Sequence, residues 1–393
     1  MRRFIPSVKK GISGFLLIAM CVAGLASLTQ KTAEKKSNLD GRMLAQFELP
    51  TWESLLDGTW MKSTEDFVDD RIIGRTALLR IHAVVATKVL RSQEVAGVWI
   101  DPRNNMLFDK PPTLADPIHL KESLRELKKT TDEANVPLLL AYVPRKQEVF
   151  ADRLPKHWTN AYVQDKPVVI DLLAQNSEVL DLTTAVGSPE VRDKNWFLTD
   201  HHWSSSGAIA ASNAVRAKLN QMGLPAPQSL PPLDQVTKYR PFIGSIGRRL
   251  TVSGVPSKDT FEIAWPKQFN LSHCINEPIT AEKCDEPLFF ANIGNDKDPY
   301  ANRYATFLRG DNPIDDLRGD GTGTYIVLKD SFGDAFVPYF ALGAKRVVAI
   351  DERHFTNATL SDLIREVKPD GVIWLHNQLS LSLMTPEQLA IWK

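Results

Sequence analysis

Apolar positions recur along this chain in two periods, one helical and one strand-like. From Trp60 to Leu90 the spacing is helical: Leu78, Ile81, Val85 and Val89 fall three and four apart, and Gly74 breaks an earlier turn. Leu120, Leu124, Leu127 and Ala134 mark a second amphipathic helix. Val95–Ile100 reads as a strand, and Val136–Val143 is a nearly unbroken apolar run, as suits a parallel strand covered on both faces. A further helix begins near Ser205, carries Ala208, Ala211, Val215 and Met222 on one stripe, and stops at Gly223. The C-terminal stretch is the clearest. Tyr325–Leu328, a turn, a helix to Leu342, Arg346–Ile350, a helix over Leu360–Val367 and Val372–Leu375 give the order β-α-β-α-β. That order predicts parallel strands with right-handed crossovers.

Between these patterns, residues 224–320 hold many Pro, Gly and Asp and few periodic runs. They read as an insertion with short strands, Thr260–Trp265 among them, not as a separate domain. Residues 29–60 are polar with scattered turn residues and read as a stalk. The expected organisation is therefore an N-terminal segment 1–28, a stalk with helices over 29–94, and an α/β body over 95–393 that contains the insertion. No internal repeat or low-complexity tract interrupts it.

The N-terminal segment changes the picture of location. Arg2, Arg3, Lys9 and Lys10 precede an uncharged apolar stretch from Phe15 to Leu28, the pattern of an export signal. Ile12–Leu28 is short of the roughly 20 residues that a full span takes, yet could serve as one. Gly24-Leu25-Ala26 offers small residues for cleavage, so cleaved signal and retained anchor both stand. Met20 makes a poor lipobox before Cys21. The positive flank places the chain beyond Thr29 outside the cytoplasm, in a periplasm or at a cell surface. Charge adds little: 47 basic residues balance 47 acidic ones, so no global field points to nucleic acid. Beyond the signal only Cys274 and Cys284 remain, ten positions apart, and in an oxidising compartment a local disulfide is the natural reading.

Four places could carry chemistry. Thr199-Asp200-His201-His202-Trp203 lies just before a serine cluster that can cap the next helix. In an extended segment Asp200 and His202 share a face while His201 points away. A carboxylate beside an imidazole is the orienting half of a catalytic triad. The same residues could instead pack at a helix start or, less in keeping with the pattern, bind a metal. Lys329-Asp330-Ser331-Phe332-Gly333 sits between a strand and a helix, where α/β sheets place ligands and a helix N-terminus can stabilise an oxyanion. It lacks the G-x-S-x-G signature, and a serine there is often only a cap. Arg309-Gly310-Asp311-Asn312-Pro313 is a turn whose amide could donate to an oxyanion or merely close the turn. The strand ends Asp351–His354 and His376-Asn377-Gln378 share an edge with Ser331 and offer binding groups or solvated loops.

Taken together these stretches resemble the DHHW family and, more distantly, the SGNH-like proteins of alginate O-acetylation. The resemblance runs over roughly residues 38–390. It includes Leu49–Gly58, then Phe67, Asp70, Gly74 and Arg75, the naming motif at 199–203, Leu328–Phe332 with Phe336-Val337-Pro338, Asp351–Phe355 and Leu375-His376-Asn377. It implies an SGNH-like three-layer α/β/α domain with a Ser-His-Asp triad in which the Asp-x-His pair precedes the serine. Carried onto this chain, Asp200 orients, His202 is the base and Ser331 attacks. Asn312 is the oxyanion candidate, although Asp311 competes for its place. Arg353, Asn377 and His201 are substrate-binding candidates.

The function expected from the resemblance is extracytoplasmic acyl transfer, without a cofactor or metal. Acetyl passes through an ester on Ser331 to a cell-surface polysaccharide, with a membrane-bound O-acyltransferase as the acyl source. An esterase would use the same residues with water as acceptor. A polysaccharide-binding scaffold on the same frame is the non-catalytic alternative.

Overall fold

The computed structural model describes residues 35–115, 120–276, 279–280, 284–286, 288–289, 297–355 and 358–392. The expected export segment lies outside them. Among the described residues no helix is long and apolar enough to cross a membrane. The chain divides into two compact units, one of residues up to Val95 with Arg248–Val255, the other of Ala96–Gly247 with Pro256–Lys393.

The first unit is built on two helices, α1 (Thr59–Arg71) and α2 (Arg75–Val84), the latter continuing as a π-helical turn over Val85–Val89. Gly74, at φ 77°, makes the break between them, a conformation costly for any residue with a Cβ. From residue 35 onward the chain makes hydrogen bonds within this unit. Asp40 accepts two hydrogen bonds from Arg75 at 2.8 and 3.1 Å, and Asp70 takes Arg42 and the Ala45 amide. Helix α2 packs its Ala83 against Gly254, where a Cβ would come within 2.6 Å of the Ala83 methyl.

The second unit holds a seven-stranded sheet. Strands β1 (Val98–Ile100) and β2 (Leu107–Asp109) pair antiparallel apart from the main sheet; the expected strand Val95–Ile100 is interrupted at Ala96 and Gly97, which both take positive φ. β3 (Leu138–Val143) and β4 (Glu178–Asp181) belong to the main sheet, and β5 (Gln235–Phe242) pairs with β6 (Asp259–Trp265) apart from it. β7 (Leu271–Ile275), β8 (Ile314–Gly319), β9 (Thr324–Lys329), β10 (Arg346–Asp351) and β11 (Gly371–Asn377) complete it. The order is β7-β8-β10-β9-β11-β3-β4. From β10 to β4 all pairs are parallel, while β7 and β8 add on antiparallel. Two strands of the inserted region are thus part of the sheet itself.

Alternate residues of these strands face opposite helix layers. Leu139, Ala141, Val327, Ala349 and Ile373 pack with Ala208, Ala211 and Val215 of α5 (Ser205–Gln221) and with Phe336 and Phe340 of α6 (Ser331–Ala341). Leu140, Tyr142, Ile326, Val348 and Trp374 pack with α3 (Lys121–Glu133), α4 (Ala161–Ala174) and α7 (Leu360–Val367). Burial on both faces explains the unbroken apolar runs in the sequence. Central β9 delivers the chain straight into α6, so residue 331 stands at the carboxyl edge of the sheet.

Candidate active site

Asp330 sets the position of the serine. It is the N-cap of α6, extended at φ −99° and ψ −167°, and its carboxylate accepts the Phe332 amide at 2.8 Å. Its second oxygen accepts the Asn377 amide at 2.9 Å and the Asn377 side-chain amide. Strand β11 and helix α6 are therefore locked together at the turn, and Ser331 begins the helix.

Opposite stands the Asp-His-His segment. It is a bend, not an extended strand, so the expected alternation of faces does not hold. Asp200 Oδ1 accepts both the His202 amide at 2.9 Å and His202 Nδ1 at 2.8 Å, and His202 Nε2 lies 2.9 Å from Ser331 Oγ. Asp200 and His202 are buried, 5% and 7% exposed, so their contacts act at low dielectric. Burial alone would raise the Asp200 carboxyl, but His201, His202 and the Ser245 amide hold it well below the ordinary carboxylate range. His201 does not point away. Its ring lies 3.8 Å from that of His202, its Nδ1 meets Ser245 Oγ at 2.6 Å, and burial, reinforced by His202, pushes its pKa well below the ordinary imidazole value.

Several supporting groups gave no signal in the sequence. Lys146, buried just past β3, donates to the carbonyls of Leu107, Phe197, Leu198 and Asp200 at 2.9, 2.7, 3.1 and 3.0 Å. Burial lowers its pKa to about 8. Asp259 of β6 accepts from the amides of Leu198 and Thr199 and from the Thr199 hydroxyl. The Ser245 amide binds Asp200 Oδ2 at 2.7 Å. Tyr304 stacks its ring on His202, and Phe332 packs edge-on against both His202 and Trp203. Arg145, 4% exposed, lies 5.7 Å from the Tyr162 ring and 5.8 Å from the Phe332 ring; among the described residues it has no ion pair, and its Nε is unbonded. Only the apolar-to-polar switch after Val143 could have drawn attention to it.

The remaining candidates are placed differently. Asn312 spends its amide hydrogens on Leu308 O and Asp315 Oδ1, at 2.5 and 2.9 Å, so it closes its own turn instead of serving as oxyanion donor. Asn377 caps the next helix, and its amide also reaches Asp330 and Ser380; it braces the serine turn and has nothing left for substrate. Arg353 is held by Asp351 and Asp311, with its Nη2 2.6 Å from the latter. Cys274 and Cys284 are joined as a disulfide.

Two groups have the composition of metal sites. Asp200, His201 and His202 bring donor atoms within 4.8 Å of one another, but Asp200 Oδ1, His201 Nδ1 and both ring nitrogens of His202 are engaged with one another or with Ser245 and Ser331. Asp311, Asp334 and Asp351 form the other cluster, and the Lys329 ammonium fills it, 2.6 Å from Asp334 and 3.3 Å from Asp351.

The parallel sheet with helices on both faces, and the serine turn at its carboxyl edge, define an SGNH hydrolase-like fold. Residues 108–253 match the family model described as ALGX: SGNH hydrolase-like domain, acetyltransferase AlgX. That stretch takes in Asp200 and His202 and ends before Ser331. Among solved structures, a DHHW family protein from Eubacterium siraeum DSM 15702 is 19% identical with a TM-score of 0.57, over 75% of this chain and 95% of that one. Bacillus cereus PatB1 with a sulfonyl adduct is 17% identical with a TM-score of 0.60, over 75% of this chain and 97% of that one. No curated protein matches the sequence significantly.

Proposed function

We propose that the protein is an O-acyltransferase that passes acetyl through Ser331 to a hydroxyl of a cell-surface polysaccharide. The observation that carries this reading is the unbroken hydrogen-bond line from Asp200 through His202 to Ser331 Oγ, with steps of 2.8 and 2.9 Å. The family model over residues 108–253, whose description names an acetyltransferase, supports the choice of acyl group.

In this mechanism His202 Nε2 takes the Ser331 proton as Oγ bonds to the acyl carbon, and the donor's leaving group departs with that proton. A sugar hydroxyl then attacks the ester carbon, gives its proton to His202, and Ser331 leaves with it. The Phe332 and Gly333 amides are already taken by Asp330. The Ser331 amide makes no hydrogen bond among the described residues and is the backbone donor for the oxyanion. The basic and apolar N-terminal pattern supports action outside the cytoplasm, and the resemblance to the proteins of alginate O-acetylation supports a membrane-bound O-acyltransferase as acyl source.

The test is to treat the purified chain with a sulfonyl fluoride and map the adduct. A single label on Ser331, absent after His202→Ala, is expected. Acetyl from an activated ester should then pass to an oligosaccharide faster than to water. Release to water alone would make the protein an esterase, and an unlabelled, inert protein would leave only a scaffold.

A further inference from the structure

Helix α2 and its π-helical extension carry the spacing Leu78, Ile81, Val85, Val89, which normally marks a face packed into a core. Here that face is turned outward: the four side chains are 59%, 60%, 41% and 68% exposed. The buried side of the helix is the one bearing Ala83. Among the described residues, thirteen of the eighteen large exposed apolar side chains fall between Met43 and Leu90, so the exposure is concentrated and not the usual scatter.

The charge on this segment is one-sided. From Ile72 to Gln93 there is no acidic residue, against Arg75, Arg80, Lys88 and Arg91. Asp40 neutralises Arg75. Arg80, Lys88 and Arg91 are exposed and make no ion pair among the described residues. An exposed apolar stripe with the unpaired Lys88 at its border, Arg91 just past its end and Arg80 on the far side, on a helix too short and too charged to span, matches the interface of an anionic bilayer. The apolar side chains enter the headgroup boundary, while the long basic side chains reach back to lipid phosphates.

We propose that the α2 face, centred on Ile81 and Val85, lies on the surface of an anionic lipid bilayer. The inference is independent of the reaction at Ser331 and of whether residues 1–28 are retained. It holds the first unit flat on the membrane instead of leaving it at the end of a tether.

The test uses the full chain with Cys21→Ser and Val85→Cys, carrying an environment-sensitive fluorophore at position 85. A second sample carries the label at Glu133→Cys, on the exposed side of α3. Vesicles of phosphatidylcholine alone are compared with vesicles that also contain phosphatidylglycerol. The expected result is a blue shift at position 85 that needs phosphatidylglycerol, is reversed by high salt, and is absent at position 133. Lys88→Gln should lower the ratio of bilayer-bound to water-exposed label about fivefold, as about 1 kcal/mol per cation near the surface implies, and Arg80→Gln, on the far side of the helix, by less. Leu78→Ser with Ile81→Ser should abolish the shift. Emission at position 85 that is unchanged by vesicles overturns the proposal. So does a label already shielded in buffer, which would mean that protein covers the face, or a shift equal with neutral lipid.

Discussion

The ring of Tyr304 lies flat on the imidazole of His202, with centroids 4.0 Å apart and planes 12° from parallel. Tyr304 comes from a short 3₁₀ turn, Arg303–Thr306, inside the inserted region. The insertion therefore supplies one wall of the proposed base. Stacking fixes the ring plane that the hydrogen bond from Asp200 alone leaves free to tilt. Tyr304→Ala is expected to lower turnover by about tenfold to a hundredfold through misplacement of Nε2. Tyr304→Phe keeps the stack and should stay near the parent rate. Steady-state kinetics on both variants decide it, and equal losses would assign the effect to the hydroxyl.

Asp200 holds His202 by the ring and by the backbone at once, so its charge and its geometry are separable. Asp200→Asn preserves the shape but presents an amide to Nδ1, favouring the wrong tautomer. Turnover with an activated ester should fall by as much as ~10⁴-fold, with little change in KM. A loss below tenfold would remove Asp200 from the mechanism.

Gly244 lies against Asp200, and a Cβ there would meet the Asp200 Cβ and sit 2.6 Å from Oδ2. Gly244→Ala must displace either the carboxylate or the Ser245 amide bonded to it. The expected outcome is a fall in kcat together with a loss of stability of roughly 1–3 kcal/mol. Unchanged kcat would show that Asp200 tolerates the shift.

Burial holds the Glu148 carboxyl up at about 7, from an ordinary 4.5. The folded chain keeps a proton that the unfolded chain releases between those values. Its contribution to stability is complete below pH 4.5 and is lost as pH rises through 7, a change of roughly 3 kcal/mol. Urea unfolding across that range should show the decline in the parent and a flatter curve in Glu148→Gln. Parallel curves would place the titration elsewhere.

Cys274 sits in edge strand β7, and its bond to Cys284 closes a loop of ten positions. Replacing both by Ser should cost roughly 2–3 kcal/mol. Because β7 is separated from β9 by β8 and β10, turnover at low temperature should survive. Calorimetry paired with an activity assay checks both halves, and loss of activity without loss of stability would contradict the argument.

The sequence by itself determined the central architecture. Val136–Val143 and the β-α-β-α-β ending are local patterns, and burial on both faces of a parallel sheet writes itself into consecutive residues. It also brought out Asp200, His202 and Ser331, because each sits in a short motif beside a cap or a strand end. Asn312 and Asn377 looked equally available, and only the folded chain showed their amides spent on neighbours. What tertiary structure decided was everything set by contacts distant in sequence. Lys146 reaches four carbonyls, three of them more than fifty residues away, and nothing near it in the chain hints at them. Tyr304 and Ser245 meet the Asp-His pair from a region with no periodic pattern. The outward turn of Leu78, Ile81, Val85 and Val89 is the converse case. Periodicity states that a helix has an apolar face; what covers that face depends on what the rest of the chain brings to it.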